Sequence, residues 1–349
     1  MTSNPMPGPI PGPTIKTVLA TIAAGQTLSE QDAQHVFELL MSGDVTPSQM
    51  GGLLMGLRVR GETVAEVTGA ARAMRARALT VQAPDGAIDT CGTGGDAKGT
   101  HNISTAASLV IAGCGVTVAK HGNVARSSKS GSADVLAALG VNLEADLSTF
   151  SRSLAEARFG FMLAQRHHGA MRNVGPTRVE LGTATIFNIL GPLANPAGAR
   201  RQLIGVYADH WVRPLAEVLN RLGCDRAWVV HGSDGMDELT TCGPSRVAEL
   251  RGGIITEFTV DPAALGLPLA QASDLAGGDA EANAGAIRSV LGGQTGPLRD
   301  IVVLNAAAGL VVADAADDLG QGMQRAAGAI DSGAALAVLD RTAAISHGR

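Results

Sequence analysis

Glycines, hydroxyls and a base crowd the stretch CGTGGDAKGTHNIST, Cys91 to Thr105. Gly92, Gly94, Gly95 and Gly99 would let the backbone come close to a ligand. Thr100, Asn102, Ser104 and Thr105 add side-chain donors around Ile103. The stretch joins a strand-like run, Ala87–Thr90, to a helix-like run that begins near Ser104. A helix N-terminus offers unpaired N–H groups and the positive end of the helix dipole, so the layout suits phosphate. It is neither a G-x-x-x-x-G-K-[ST] P-loop nor a G-x-G-x-x-G fingerprint. Asp96 is the anomaly, because a carboxylate repels phosphate. Three roles are open to it: accepting from a sugar hydroxyl, holding the turn through backbone N–H groups, or acting through a metal and its waters.

A second stretch, KHGNVARSSKSGSAD from Lys120 to Asp134, repeats that layout after the strand-like run Val116–Ala119. Lys120, Arg126 and Lys129 are basic, and Ser127, Ser128, Ser130 and Ser132 are donors. Ser132 is the expected cap of the next helix and Gly140 its stop. Two such loops at the carboxyl ends of strands in one sheet can face one crevice, which points to a polyphosphate or phosphosugar.

HGSDGMDELT, His231 to Thr240, follows another strand-like run and clusters Asp234, Asp237 and Glu238. Asp237 and Glu238 could hold Mg²⁺, a hard cation that takes oxygen ligands. Alone, a solvated acidic turn is the plainer explanation. Beside two phosphate cradles, a bridging metal gives the acids a purpose. Arg178, in MRNVGPTRVELGTATIFNILGPLANP, could grip a carboxylate in bidentate fashion or simply pair with Glu180 or Glu217. His167 and His168 lack a further ligand at useful spacing and read as pocket wall or loop histidines. No Ser-His-Asp or Cys-His arrangement stands out.

Positioning these loops requires strands that alternate with helices. From Pro84 onward the candidate strands are Ala87–Thr90, Val116–Ala119, Phe161–Ala164, Gln202–Tyr207, Ala227–Val230 and Ile254–Val260. Helical runs fall at Thr105–Ala112, Ala133–Leu139, Leu147–Ala157, Val212–Leu222, Ala282–Leu291 and Leu298–Ala313. Such alternation implies a mostly parallel sheet flanked by helices. Before Pro84 only helices are expected, opened by capping boxes at Ser29, Thr46 and Thr63. Met171–Leu190 carries no strand signal and could rejoin that bundle.

The expected architecture is α/β, a small all-helical domain plus a large domain built on the parallel sheet. Residues 14–82 and about 171–195 would form the helical domain, and 83–170 with 196–349 the large one. Residues 1–13, rich in proline, read as a disordered tail. The formal net charge of −5 argues against a general nucleic-acid binder. Four cysteines without a C-x-x-C pair, no apolar run of membrane-spanning length and no signal-peptide layout point to a cytoplasmic protein with reduced thiols.

Taken in order, GTGGD…T.NIST, KHGN…SSKSGSADVL.ALG, GPTR.ELG…FN.LGPL.NP and DGMDELT resemble the anthranilate phosphoribosyltransferase family across nearly the whole chain from about residue 14. The resemblance implies transfer of the phosphoribosyl group of 5-phosphoribosyl 1-diphosphate to the amine of anthranilate, a step of tryptophan biosynthesis. It also implies Mg²⁺, a homodimer and a fold similar to pyrimidine nucleoside phosphorylases. The donor contacts it implies are Gly92, Gly95, Asp96, Thr100, Asn102, Ile103, Ser104, Thr105, Lys120, His121, Gly122, Asn123, Val124, Ala125, Arg126, Ser127, Ser128 and Ser132. Gly92, Asn123 and Arg178 would meet anthranilate, and Ser104, Asp237 and Glu238 the metal. The family often carries Arg where Val124 stands, Pro at Gly169 and Arg at Ala184. A pyrimidine nucleoside phosphorylase and a non-enzymatic nucleic-acid-binding relative are the rival readings.

Overall fold

The computed structural model describes residues 12–125 and 129–349. Arg126, Ser127, Ser128 and residues 1–11 of the proline-rich start lie outside the described residues. The chain divides into two compact units. The smaller takes the residues through Arg77 with Ala170–Phe187, and the larger takes Ala78–Gly169 with Asn188–Arg349.

Four helices open the smaller unit: Ile15–Ala23, Glu30–Ser42, Pro47–Arg60 and Val64–Ala76. Thr46 with Gln49 and Thr63 with Glu66 form complete capping boxes. At Ser29 only half of the expected box forms. Ser29 Oγ accepts from Asp32 N at 3.1 Å, but the Asp32 carboxylate takes the Ser29 hydroxyl instead of the backbone. Asp is one methylene shorter than the Glu or Gln that completes the box. Glu66 is fully buried, accepts from Leu28 N at 2.8 Å and Thr63 N at 2.9 Å, and pairs with Arg60. Apolar side chains recurring at helical spacing, among them Val36, Phe37, Leu40, Leu53 and Leu57, fill the interior.

Among the described residues of the larger unit, seven strands form one sheet: β1 (Ile88–Gly92), β2 (Val118–Gly122), β3 (Phe159–Leu163), β4 (Arg201–Gly205), β5 (Arg226–Gly232), β6 (Ser245–Arg251) and β7 (Ile254–Val260). Their order is β3-β2-β1-β4-β5-β6-β7. The first five run parallel, β6 turns back antiparallel to β5, and β7 pairs antiparallel with β6. The helices Ile103–Gly113 and Pro297–Val312 are buried along nearly their whole length, so apolar residues occupy all sides of both. Among the described residues, no helix is long and apolar enough to cross a membrane.

Sequence reading missed β6, whose Arg246, Glu249 and Arg251 mask the alternation. Its signal is the Gly252-Gly253 pair, both at positive φ, which closes the hairpin to β7. Two final helices, Leu319–Asp331 and Ala334–Ser346, were also missed: the first carries a sequence signal in its Asp318 cap and the spacing of Leu319, Met323, Ala326 and Ile330, while alanines blur the periodicity of the second. The smaller unit ends earlier than residue 195. Asn195 is buried in the larger unit, where its Nδ2 donates to Asp89 Oδ2 at 2.7 Å and Ala119 O at 2.9 Å. Gln202 Nε2 donates to Pro192 O at 2.9 Å, which holds the GPLANP turn against the sheet. Likewise Leu79 N donates to His167 O, so residues 78–82 join the larger unit.

Candidate active site

The chain leaves β1 toward β2 and β3 on one side, then returns to β4 and β5 on the other. Connections therefore diverge at the carboxyl ends of β1 and β4, where open parallel sheets form ligand crevices. The glycine loop starts at this divergence, and the acidic loop after β5 crosses above it. A Cβ on Gly205, the last residue of β4, would overlap the Asp237 backbone, and one on Gly92 would overlap its carboxylate. Glycine at both strand ends is what admits the acid.

Asp237 and Glu238 reach back into the first loop. Gly94 N donates to Asp237 Oδ2 at 2.7 Å, and Ser104 N donates to Glu238 Oε1 at 3.0 Å. Behind them Asn305, buried in the helix Pro297–Val312, clamps Leu239. Its Oδ1 accepts from Leu239 N at 3.0 Å and its Nδ2 donates to Leu239 O at 2.8 Å. Asp234 fastens the same loop by accepting from Met236 N and the Thr240 hydroxyl. Burial pushes both neighbouring carboxyls well above the usual range. Repulsion from Asp96 adds to the shift at Asp237, and repulsion from Asp237 adds to it at Glu238. The charge of Lys120 opposes the shift at Glu238 without cancelling it.

Lys120 is the nearest base. It lies on β2, buried, and its Nζ donates to Thr90 O and, at 3.4 Å, to Ser104 Oγ. Burial lowers its pKa, and Asp89 is the foremost charge opposing that shift. Asp89 was not singled out from sequence. It is fully buried on β1 and accepts from His121 N at 3.1 Å as well as from Asn195. An acid inside a strand gives no motif, so only its burial reveals it.

Asp96 Oδ1 accepts from Lys98 N at 3.2 Å, so its carboxylate helps hold the turn. Gly95 and Thr100 lie in the same loop, and Thr100 bridges to Ala276. Asn102 is the N-cap residue of the helix Ile103–Gly113 but makes no side-chain cap bond. Instead its Nδ2 donates to Ser130 O at 3.2 Å and joins the two loops. Ile103 and Thr105 point inward: Ile103 packs with Met236, Leu275 and Ile301, and Thr105 is fully buried.

In the second loop Ser132 does not cap. Gly131 is the N-cap residue, and the Asp134 carboxylate accepts from Gly131 N at 2.8 Å and Ala125 N at 2.7 Å. A carboxylate three residues into the helix satisfies those amides, so Ser132 Oγ turns to Asn123 O at 3.4 Å. Gly122 leaves room for that hydroxyl. Asn123 Oδ1 accepts from Val124 N at 2.9 Å. His121 and His168 stack edge to face at 5.1 Å. Burial lowers their pKa values to about 3 and about 4, so both imidazoles are neutral near pH 7. His167 Nδ1 lies 2.6 Å from Leu79 O, a structural contact.

Arg178 belongs to the smaller unit, on the helix Gly175–Leu181, with its guanidinium carbon 5.3 Å from the centre of the Phe187 ring. Glu217, a partner considered for it, instead pairs with Arg213. Within the larger unit the structure thus brings together the first loop, Lys120, Ser130 and the Asp237–Glu238 pair. No group of three or more His, Cys, Asp and Glu able to hold a metal occurs among the described residues. A pair of carboxylates is nevertheless the usual protein share of a Mg²⁺ that also binds substrate phosphates.

Comparison with known proteins agrees with this geometry. Residues 84–336 match the α/β domain of a glycosyl transferase family, and residues 16–78 match its helical bundle domain. An anthranilate phosphoribosyltransferase of Rhodospirillum rubrum is 65% identical over 331 residues, covering 95% of each chain. The crystal structure of the Thermus thermophilus enzyme of that name superposes with a TM-score of 0.90 at 44% identity, over 95% of this chain and 99% of that one. The Saccharomyces cerevisiae enzyme, solved in complex with PRPP and Mg, gives a TM-score of 0.88 at 26% identity, over 96% and 98% of the two chains. The chain belongs to the anthranilate phosphoribosyltransferase family.

Proposed function

We infer that the chain transfers the phosphoribosyl group of 5-phosphoribosyl 1-diphosphate to the amine of anthranilate, releasing diphosphate, as a step of tryptophan biosynthesis. The observation that carries this reading is the acid pair Asp237–Glu238, held over glycine-ended strands and bonded to amides of the first loop. A C1–N bond forms as the C1–O bond to diphosphate breaks, and the amine then loses a proton to solvent. Anomeric centres react with oxocarbenium character, so positive charge develops on the sugar and negative charge on the leaving group. The amine is already a nucleophile. The protein's work is to hold two substrates together and to stabilise departing charge.

On this reading the first loop, through Gly92, Gly95, Thr100 and Asn102 to Thr105, cradles the diphosphate with Lys120 and the second loop. Ile103 and Thr105 contribute backbone rather than side chains, since both are buried away from the loop surface. The residues suit a divalent cation: two adjacent acids share one buried, anionic neighbourhood, and Ser104 is bonded to one of them. Asp237, Glu238 and Ser104 would hold Mg²⁺. When bound, the ion neutralises charge on the departing diphosphate without proton transfer. Asn123, Gly92 and Arg178 would take anthranilate, with the guanidinium on its carboxylate. The units serve as a helical and a donor-binding domain, and the enzyme works in the cytoplasm as a homodimer. Val59 and Val179, 81% and 75% exposed on the smaller unit, are apolar surface that a second copy would cover.

Loss of anthranilate fluorescence only when 5-phosphoribosyl 1-diphosphate and Mg²⁺ are both present is the expected result, and loss of signal without the donor would refute it. Arg178→Ala should raise the anthranilate KM by about tenfold or more while leaving the donor KM near native, as expected for a lost charge-assisted bond. Equal rises in both would remove Arg178 from the acceptor site.

A further inference from the structure

Asn283 stands far from every motif, yet it connects the two donor loops. It is 1% exposed, in the first turn of the helix Ala280–Leu291. A buried amide must satisfy both of its ends. Asn283 Oδ1 accepts from Gly278 N at 2.8 Å, and Asn283 Nδ2 donates to Asn102 Oδ1 at 2.9 Å. Asn102 Nδ2 then donates to Ser130 O at 3.2 Å.

The sense of this relay is forced. Gly278 N can only donate, so the Asn283 oxygen must face it and the nitrogen must face Asn102. Asn102 must therefore present its oxygen to Asn283 and its nitrogen to the Ser130 carbonyl. Gly278 N at one end and the Ser130 carbonyl at the other agree on the orientation of both amides.

The segment that supplies this N–H is itself stitched to the first loop. Gly277 N donates to Gly99 O at 2.8 Å, and His101 N donates to Leu275 O at 3.1 Å. A Cβ on Gly277 would crowd Thr100 O, so glycine permits the approach. Residues 275–278 thus register the position of the first loop, and Asn283 passes that register through Asn102 to the second.

We propose that Asn283 is a positioning residue for donor binding, acting through Asn102 to hold the two donor loops at one spacing. The proposal rests on the donor site inferred above. Asn283 touches neither substrate; its effect is carried by the relay. A diphosphate that spans both loops needs their spacing fixed, whereas anthranilate does not depend on it in the same degree.

The test is Asn283→Asp, nearly isosteric, which keeps an acceptor for Gly278 N and loses the donor to Asn102. Calorimetry of donor with Mg²⁺ on the native chain comes first. A native chain that does not bind the donor would overturn the donor site and this inference together. Given native binding, Asn283→Asp should weaken donor affinity by about tenfold, the scale of a buried acceptor left facing another acceptor, with the anthranilate KM near native. Unchanged donor affinity, or equal rises in both KM values, would overturn the relay and leave the donor site standing. Hydrogen exchange in the native chain gives a readout that does not depend on a variant folding. Donor should slow exchange at Gly278 along with the amides of 99–105, and protection of 99–105 with none at Gly278 would overturn the proposal.

Discussion

The two glycine-containing turns look alike in sequence but are closed by different acids. In the second turn, Asp134 takes the amides of Ala125 and Gly131 from within its own helix. In the first turn, the amides of Gly94 and Ser104 are taken by Asp237 and Glu238, which lie 143 and 134 residues away. The amides of Ala125 and Gly131 in the second turn are therefore satisfied from within its own helix. The first turn is completed only when the loop after β5 arrives. Its amides already donate to carboxyl oxygens supplied from outside the turn. The local layout of strand, polar turn and helix does not decide how a turn is held; the source of its carboxyl acceptors does.

The largest effect should come from removing the distant acids. Replacing Asp237 and Glu238 together by Ala should lower turnover by about 10²–10³-fold, the range for losing a preorganised charge contact. An Mg²⁺ titration followed by anthranilate fluorescence measures it. Near-native turnover with a native Mg²⁺ response would erase the difference between the two turns. Next comes the floor beneath those acids. Gly205→Ala puts a methyl into the Asp237 backbone, so the loop must lift or the strand must bend. Stability should fall by about 1–3 kcal/mol, as overpacking does, and turnover should fall with it. Chemical denaturation with initial rates separates the two, and a native-like variant would mean that the acidic loop has slack.

The components of this contrast were legible in advance; the contrast itself was not, for physical reasons. The glycine loops, Lys120 and the Asp237–Glu238 pair announce themselves because phosphate and metal chemistry need unusual residues at short spacing. Asp89, Gly205, Asn283 and Asn305 do not. Each acts through a partner distant in the chain: Asp89 through Asn195, Gly205 through Asp237, Asn283 through Asn102 and Asn305 through Leu239. Ser132 was expected to cap its helix because serine is the commoner cap. The Asp134 carboxylate already satisfies those amides. The fold was legible wherever apolar periodicity was clean. It was lost at β6, where arginines and a glutamate interrupt the pattern, and in the final helix, where small residues flatten it.

A smaller effect should appear with pH. The Asp237 and Glu238 carboxyls are raised to about 7 and about 8 in the folded chain, first by burial and then by neighbouring acids. A carboxyl raised on folding contributes stability that is whole below its unfolded value and is lost as pH rises through the folded one. Without Mg²⁺ the melting temperature should therefore fall from about pH 4, where the unfolded carboxyls ionise, to about pH 8, and level off above it. Mg²⁺ should flatten the profile, because it stabilises the ionised pair. The Asp237→Ala, Glu238→Ala double variant should lose the slope, and a slope that survives in it belongs to other groups.

The smallest effect is expected where the turn closes itself. Asp134→Ala removes both cap bonds of the second turn and should cost about 1 kcal/mol of stability, as caps do. Asp134→Asn keeps an acceptor and should cost less. Because Asp134 serves its own helix, turnover at saturating donor should stay within about fivefold of native, the factor that about 1 kcal/mol commands. Denaturation curves with saturating-donor rates check both. The contrast follows from where the bonds lie: losing Asp134 frees two amides of its own turn, whereas losing Asp237 and Glu238 removes the acids proposed to hold Mg²⁺. If Asp134→Ala lost as much turnover as the double variant, Asp134 would serve more than its own helix. Its carboxylate would then have to be read as part of the binding surface.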